Sequence, residues 1–271
     1  SLKEILYRKY FNRNNFLKYD KIIYFLGPVA DNPYHWLIEY LPRIQYIYDD
    51  NKLKDYKFLL NNNKIKFQLE ILKMIGVDNK QIIHWDKKDV LVEKLIIPSL
   101  RFKYVGKNKK RSQIYSQESI KWIRNIVLNK NKNILNSNFN KIFISRKKSK
   151  NRRIINEDNI FESIEKKGFI RLFLEDLSQK EIINYFRFAE IVISVHGASL
   201  ANMIYSKNLK IIELFPSNFE EGGSLLLYQL SSLLNFEHHV LIVNTSNNDK
   251  SFFLEDSKLV ELINKIEHKI K

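Results

Sequence analysis

Residues 190–216 read EIVISVHGASLANMIYSKNLKIIELFP and carry side chains whose types and spacing suit anion binding. EIVISV is almost continuously apolar and β-branched, the composition of a strand buried on both faces. His196, Gly197, Ala198 and Ser199 then interrupt it, three of them small. A helix-compatible stretch follows, and LKIIELF is a second buried strand ended by Pro216. Strand, tight turn, helix and strand form one βαβ unit with parallel strands. A helix start presents unpaired N–H groups and the positive end of its dipole. Gly197 and Ala198 leave room for a phosphate to reach that backbone. Glu213 stands at the end of the second strand, where a carboxylate can take sugar hydroxyls. The pattern predicts a nucleotide or another phosphorylated ligand. Small residues in a βα turn also serve plain packing, and spacing alone does not separate the two.

Two other constellations can do chemistry. The run RKKSKNRR at 146–153 follows a short apolar strand and supplies Arg146, Arg152 and Arg153. In the first half, DNPYHWLIEYLPRIQ places His35 and Glu39 four apart, on one face of a helix capped by Asp31 or Asn32 with Pro33 in its first turn. Such a pair serves as an acid–base couple or as an ordinary hydrogen-bonded contact. It lacks the HExxH spacing and a third ligand, so it is not a zinc motif. Pro42 should end or kink this helix.

The elements that must position these residues alternate. Strands are expected at 21–27, 56–61, 81–85, 94–100, 141–146, 169–175 and the run HHVLIVN, with helices between them, several bearing clear caps (Ser116, Ser178) or terminal glycines (Gly76, Gly168). Residues 1–19 read as a short amphipathic segment, 101–115 as a basic loop and 129–140 as a linker. This predicts an α/β protein with an N-terminal domain at 1–135, a Rossmann-like domain at 136–250, and a terminal helix at 251–271 that packs back on the first domain.

The chain has 271 residues, 44% hydrophobic and 13% aromatic, enough for a sizeable core. It has no cysteine, which excludes disulfides, cysteine nucleophiles and Cys-type zinc sites. No run of eighteen apolar residues occurs, and the first twenty residues are too charged for a signal peptide. The net charge is +16. Lys, Asn and Ile are abundant throughout, so most of that charge reads as solvated surface, with denser clusters at 107–111 and 146–153.

Taken together, four stretches resemble glycosyltransferase family 61, the capsular-polysaccharide-type enzymes. The family's HGAGL-x-N motif is matched by His196-Gly197-Ala198-Ser199-Leu200-Ala201-Asn202, with Ser199 where glycine is usual. E-x-x-P is matched by Glu213 and Pro216, and SR…R-x-x-NE by Ser145-Arg146 and residues 152–157. N-x-x-H-x-x-x-E/D followed by L-P is matched by Asn32, His35, Glu39 and Leu41-Pro42.

The resemblance implies a GT-B-like architecture, two Rossmann-like domains facing a cleft. It further implies an inverting, metal-independent transfer from a nucleotide-sugar, a UDP-sugar by analogy, to a glycan or lipid-linked saccharide. The donor is then a substrate and no cofactor is required. Donor-binding residues would be Arg146, Arg152, Arg153, His196, Gly197, Ala198, Ser199, Asn202 and Glu213, with Asn32 and Arg43 on the acceptor side. Glu39 is the preferred base, with His35 as the alternative or as its partner. A cytoplasmic protein, in peripheral contact with the inner face of a membrane, fits a basic surface and a lipid-linked acceptor. The rivals are a nucleic-acid-binding protein, for which no helix-turn-helix, zinc-finger or RRM signature is visible, and a silent scaffold. A dinucleotide oxidoreductase is disfavoured because no GxGxxG follows a strand.

Overall fold

The computed structural model describes residues 17–48, 53–106, 112–131, 139–217, 225–245 and 249–268. The expected basic cluster at 107–111, most of the expected N-terminal segment and most of the expected linker lie outside them. The chain divides into two compact units, Ser1–Leu100 and Arg101–Lys271.

The first unit is built on four parallel strands, β1 (Leu17–Tyr24), β2 (Lys57–Leu60), β3 (Ile82–His84) and β4 (Val90–Ile96), in the order β3-β2-β1-β4. That is the order of the first half of a Rossmann sheet. β1 begins earlier than the apolar run suggests, because Leu17, Lys18 and Tyr19 pair with Val90, Leu91 and Val92 of β4. Phe25, at the end of β1, meets Trp36 and Phe58 edge-on at 5.6 and 5.7 Å, which fixes the following helix against the sheet. Helix α1 (Lys66–Met74) closes at Gly76, whose φ of +95° favours glycine.

The second unit starts with an antiparallel hairpin, β5 (Phe102–Val105) and β6 (Ser112–Tyr115), where a loop was expected. Its aromatic residues explain the difference: Phe102 packs edge-on against Tyr104 and Tyr115. Helix α2 (Gln117–Lys130) follows, with Ser116 accepting from the Ser119 N–H. The Gln117 side chain donates to the Leu233 carbonyl, and Ile120, Ile123 and Val127 are buried. Residues 101–131 therefore belong to the second unit, and the boundary lies near 100 rather than 135.

Its main sheet holds β7 (Lys141–Ile144), β8 (Phe169–Leu172), β9 (Ile191–Val195), β10 (Lys210–Pro216) and β11 (Glu237–Val243), all parallel, in the order β11-β10-β9-β7-β8. Counted from β7, this is the doubly wound order 2-1-3-4-5, which reverses between β7 and β9. One face carries Phe143, Ile191, Ile193, Val195, Ile212 and Leu214, in one apolar cluster with helices α3 (Glu157–Glu165) and, further along the chain, Asp256–His268. The terminal helix, expected on the first domain, belongs to the second unit and packs on that unit's sheet, where Leu259, Ile263 and Ile266 complete this core. The opposite face interleaves apolar residues with Ser194, Glu213 and His238. Helix α4 (Gln179–Phe188) leads into β9 and has a full capping box between Ser178 and Glu181. Helix α5 (Leu226–Leu233) precedes β11, and the terminal helix is α6.

Candidate active site

β9 ends at Val195, and the chain leaves the sheet through His196 and Gly197 into a 3₁₀ helix, Ala198–Tyr205. Gly197 has φ 166° and ψ 177°, extended backbone that any residue adopts, so conformation does not require glycine here. Space does. A Cβ at Gly197 would lie 3.0 Å from Arg146 Nη1 and 3.7 Å from Arg152 Nη1. The groups that approach this backbone closely are two guanidiniums, both carried by the loop after β7, on the other side of the sheet's reversal.

Arg152 Nη1 donates to the His196 carbonyl at 2.6 Å. Arg146 Nη2 donates to the backbone and side-chain oxygens of Asn151 at 3.2 and 3.3 Å, while its buried Nε has no partner. Among the described residues no carboxylate pairs with Arg146. Burial, then repulsion from Arg152, pushes the Arg146 pKa down to about 10, with Glu175 opposing. Burial lowers that of Arg152 as well. Two partly desolvated cations side by side repel each other.

The loop that carries them is firmly held. Glu157, buried at the start of α3, accepts from the Arg146 N–H at 3.1 Å through Oε2 and from Ser145 Oγ through Oε1. The Asn156 side chain donates to the Leu254 carbonyl at 2.9 Å and accepts from the Leu254 N–H at 3.0 Å. Arg152 has φ +55°, a left-handed conformation unusual for a side chain of its size, fixed by its N–H donating to the Asp249 carbonyl at 2.7 Å. Arg153 turns away: its Nη2 lies 3.6 Å from Asp249 Oδ2, so it stands apart from the other two. Lys147 and Arg171 share Asp158, and Lys148 pairs with Asp176, so much of this basic run is neutralised locally.

Glu213 sits in the middle of β10, beside Ser194 and Val240, rather than at the strand's end. It is 1% exposed. Its Oε1 accepts from His196 Nδ1 and its Oε2 from His238 Nε2 at 2.9 Å. Burial raises its pKa, and the hydrogen bonds from His196 and then His238 outweigh that, holding it below the usual value. His238 Nδ1 lies 2.8 Å from Ser231 Oγ on α5. The His196 ring also meets Phe215 edge-on at 4.9 Å. Ser199 shares a hydrogen bond with Ser194 at 3.2 Å and ties the helix start to β9. Asn202 is buried and donates to the Ser199 carbonyl at 2.9 Å, bracing the same turn; Ala198 opens it.

In the first unit, the Asn32 side chain caps a single α-turn, Pro33–His35, by accepting from the Tyr34 N–H at 2.9 Å. The helix then widens to a π-turn, Trp36–Tyr40, and tightens to 3₁₀ over Leu41–Ile44. Pro42 supplies the reason: it has no N–H for the Ile38 carbonyl, and its ring would clash in a regular α-helix. Glu39 is buried and its Oε2 lies 2.9 Å from Nδ1 of the more exposed His35. Arg43 stacks on Tyr40, 3.9 Å from the ring centre, and donates to the Glu39 carbonyl at 3.0 Å. Tyr40 in turn lies against Gly27, where a Cβ would come within 1.7 Å of its hydroxyl.

A family model described as Glycosyltransferase 61 matches residues 34–212, about two thirds of the chain. This chain belongs to glycosyltransferase family 61. It is therefore a glycosyltransferase, with a donor and an acceptor as substrates. No curated protein matches it.

This glycosyltransferase brings Arg146, Arg152, His196 and Gly197 to one turn, with Glu213 behind them, while Arg153 is directed elsewhere. His35 and Glu39 form a pair within the other unit. Sequence reasoning gave no role to Glu157, His238 or Ser231. Glu157 ends the R-x-x-NE stretch at 152–157, but that it is the one acid on the buried face of α3, and that His238 shares a sheet face with Glu213, show only once face and register are known.

Proposed function

We propose that the protein is an inverting, metal-independent glycosyltransferase that moves a sugar from a nucleotide-sugar, most simply a UDP-sugar, to a glycan or lipid-linked saccharide. The observation that carries this reading is the convergence of Arg146 and Arg152 on Gly197, with no carboxylate paired to Arg146 among the described residues. As the acceptor oxygen attacks the anomeric carbon, the bond to the diphosphate breaks and negative charge builds on the leaving group. The two guanidiniums and the amides of residues 197–199 supply the stabilisation that a metal supplies elsewhere. Their position at the carboxyl ends of β7 and β9, where the strand order reverses, is where open α/β sheets bind ligands.

The acceptor proton goes to the His35–Glu39 pair. The burial of Glu39 favours an arrangement in which His35 meets the acceptor and takes its proton. Glu39 then orients the ring and balances the imidazolium that forms in the step, reversing the order preferred on sequence grounds. Asn32 and Arg43 hold that helix in place. The GT-B arrangement of the two units, a role in capsule-type polysaccharide synthesis and a peripheral membrane contact belong to the same proposal. Release of UDP from a panel of UDP-sugars tests it: His35→Ala and Glu39→Gln should each lower turnover at least about a hundredfold while UDP affinity stays at the parent value. Near-parent turnover in both variants would remove the pair from the mechanism.

A further inference from the structure

We infer that Asp249 and Ser251 are positioning residues for donor binding, a clamp that turns Arg152 toward Gly197 and its neighbour Arg153 away; this rests on the donor reading above. The segments 152–156 and 249–254 lie far apart in the sequence and pair like two short parallel strands. Ile154 and Phe252 form a parallel bridge. The Ile155 N–H donates to the Phe252 carbonyl at 2.8 Å, and the Phe252 N–H donates to the Arg153 carbonyl at 3.0 Å. Ile154, Phe252 and Leu254 belong to the apolar cluster under the sheet, so the pairing is anchored in the core. What it fixes is the backbone of two consecutive arginines.

The Arg152 N–H donates to the Asp249 carbonyl at 2.7 Å, and the Arg153 N–H donates to Ser251 Oγ at 3.1 Å. Ser251 is buried and is itself held by Asp249: its N–H donates to Oδ1 at 3.0 Å and its hydroxyl to Oδ2 at 2.8 Å. The Asp249 carboxylate therefore closes a small turn that presents one acceptor to each arginine amide. Arg152 and Lys250 face each other across this pairing with φ +55° and +58°, the left-handed region that long side chains avoid. A residue other than glycine keeps that conformation only where its surroundings over-determine it, and here the hydrogen bonds do so. Held in this way, Arg152 reaches the His196 carbonyl through Nη1 at 2.6 Å and lies beside Gly197. Arg153 Nη2 stands 3.6 Å from Asp249 Oδ2 instead. One aspartate thus sorts two adjacent arginines, directing the first to the site through its carbonyl and the second away through its carboxylate. The contact to Arg153 is long and half-exposed, so hydrogen bonds rather than the ion pair carry the clamp.

Amide hydrogen exchange on the full chain reads the clamp without any ligand. In Asp249→Ala the amides of Arg152 and Arg153 should exchange at least about tenfold faster than in the parent, with those of β7 and β9 unchanged. Ser251→Ala removes only the acceptor of the Arg153 N–H and should deprotect that amide. Asp249→Asn keeps an acceptor for the Ser251 N–H and should restore protection at both arginines. Unaltered exchange in Asp249→Ala overturns the clamp. The donor half uses UDP and inorganic pyrophosphate in calorimetry. Asp249→Ala should weaken both about tenfold, and Asp249→Asn by no more than about twofold. A residue that acts through Arg152 loses its effect once that guanidinium is gone, whereas general loosening of the fold adds to the loss. Asp249→Ala should therefore weaken neither probe further in the Arg152→Gln background. Additive losses, or parent affinity in Asp249→Ala, overturn the positioning role. A parent protein that binds neither probe sinks the donor reading and the positioning role with it, while the exchange result still decides the clamp.

Discussion

At the scale of single residues, Gly197 and Arg146 act as a unit. The extended backbone of Gly197 accepts alanine, but its Cβ would press on Arg146 Nη1 at 3.0 Å. Gly197→Ala should therefore weaken nucleoside-diphosphate binding about tenfold while the melting temperature barely moves; a normal affinity would mean the guanidinium is not part of the site. Arg146→Met should abolish the thermal stabilisation by a diphosphate without lowering the melting temperature of the unliganded protein, because it removes a partly desolvated cation. A protein that melts well below the parent would show Arg146 to be structural instead. Burial raises the Glu213 pKa, but the hydrogen bonds from His196 and His238 hold it below the ordinary carboxylate value. Its stabilisation is complete above that value and is lost as pH falls through the folded one, so Glu213→Gln should flatten the acid limb of a stability–pH curve below about pH 4.5. An unaltered limb would place the acid sensitivity elsewhere. The sequence made Gly197 and Glu213 legible, since small residues after a strand and a lone acid within one stand out. The direction of Glu213 was not legible, because it depends on which face of β10 meets His238, a residue 25 positions later.

At the scale of elements, the βαβ unit around Gly197 was readable from hydrophobic run length, and the strand pairs Ile191–Lys210 and Ser194–Glu213 are in the parallel register it implies. Two elements were not. The hairpin at 102–115 was hidden by its lysines, though its aromatic residues pack together. The widened turn at Trp36–Tyr40 could not be foreseen beyond a break at Pro42, because a missing N–H can be met by a kink, a stop or a π-turn with different consequences for Glu39. The loop carrying Arg146 depends on Glu157, whose carboxylate takes one side-chain and one backbone donor. Glu157→Gln replaces one acceptor with a donor facing a donor, so it should cost about 1–3 kcal/mol in urea unfolding and weaken diphosphate binding along with it. A loss of stability with undiminished binding would separate Glu157 from the site.

At the scale of the whole molecule, two parallel α/β units were predicted and both are present, but the boundary moved. The Asn/Lys-rich run at 129–140 looks like a linker by composition, whereas packing of α2 through Ile120, Ile123 and Val127 assigns residues 101–131 to the second unit. Composition reports where a chain is polar; only burial reports which core a helix joins. Among the described residues no helix is long and apolar enough to cross a membrane. The charge of +16 is partly absorbed by pairs such as Lys147–Asp158 and Lys148–Asp176. In the proposed reaction arginines, not a metal, hold the donor's diphosphate. The most direct measurement of this is calorimetric binding of UDP, GDP, CMP and TDP to the full chain, with and without EDTA. A nucleoside diphosphate should bind equally well in both conditions and not at all to Arg146→Met. Binding that requires a divalent ion would contradict the arginine claim, and no binding alongside salt-sensitive retention of RNA or DNA would contradict the donor site itself.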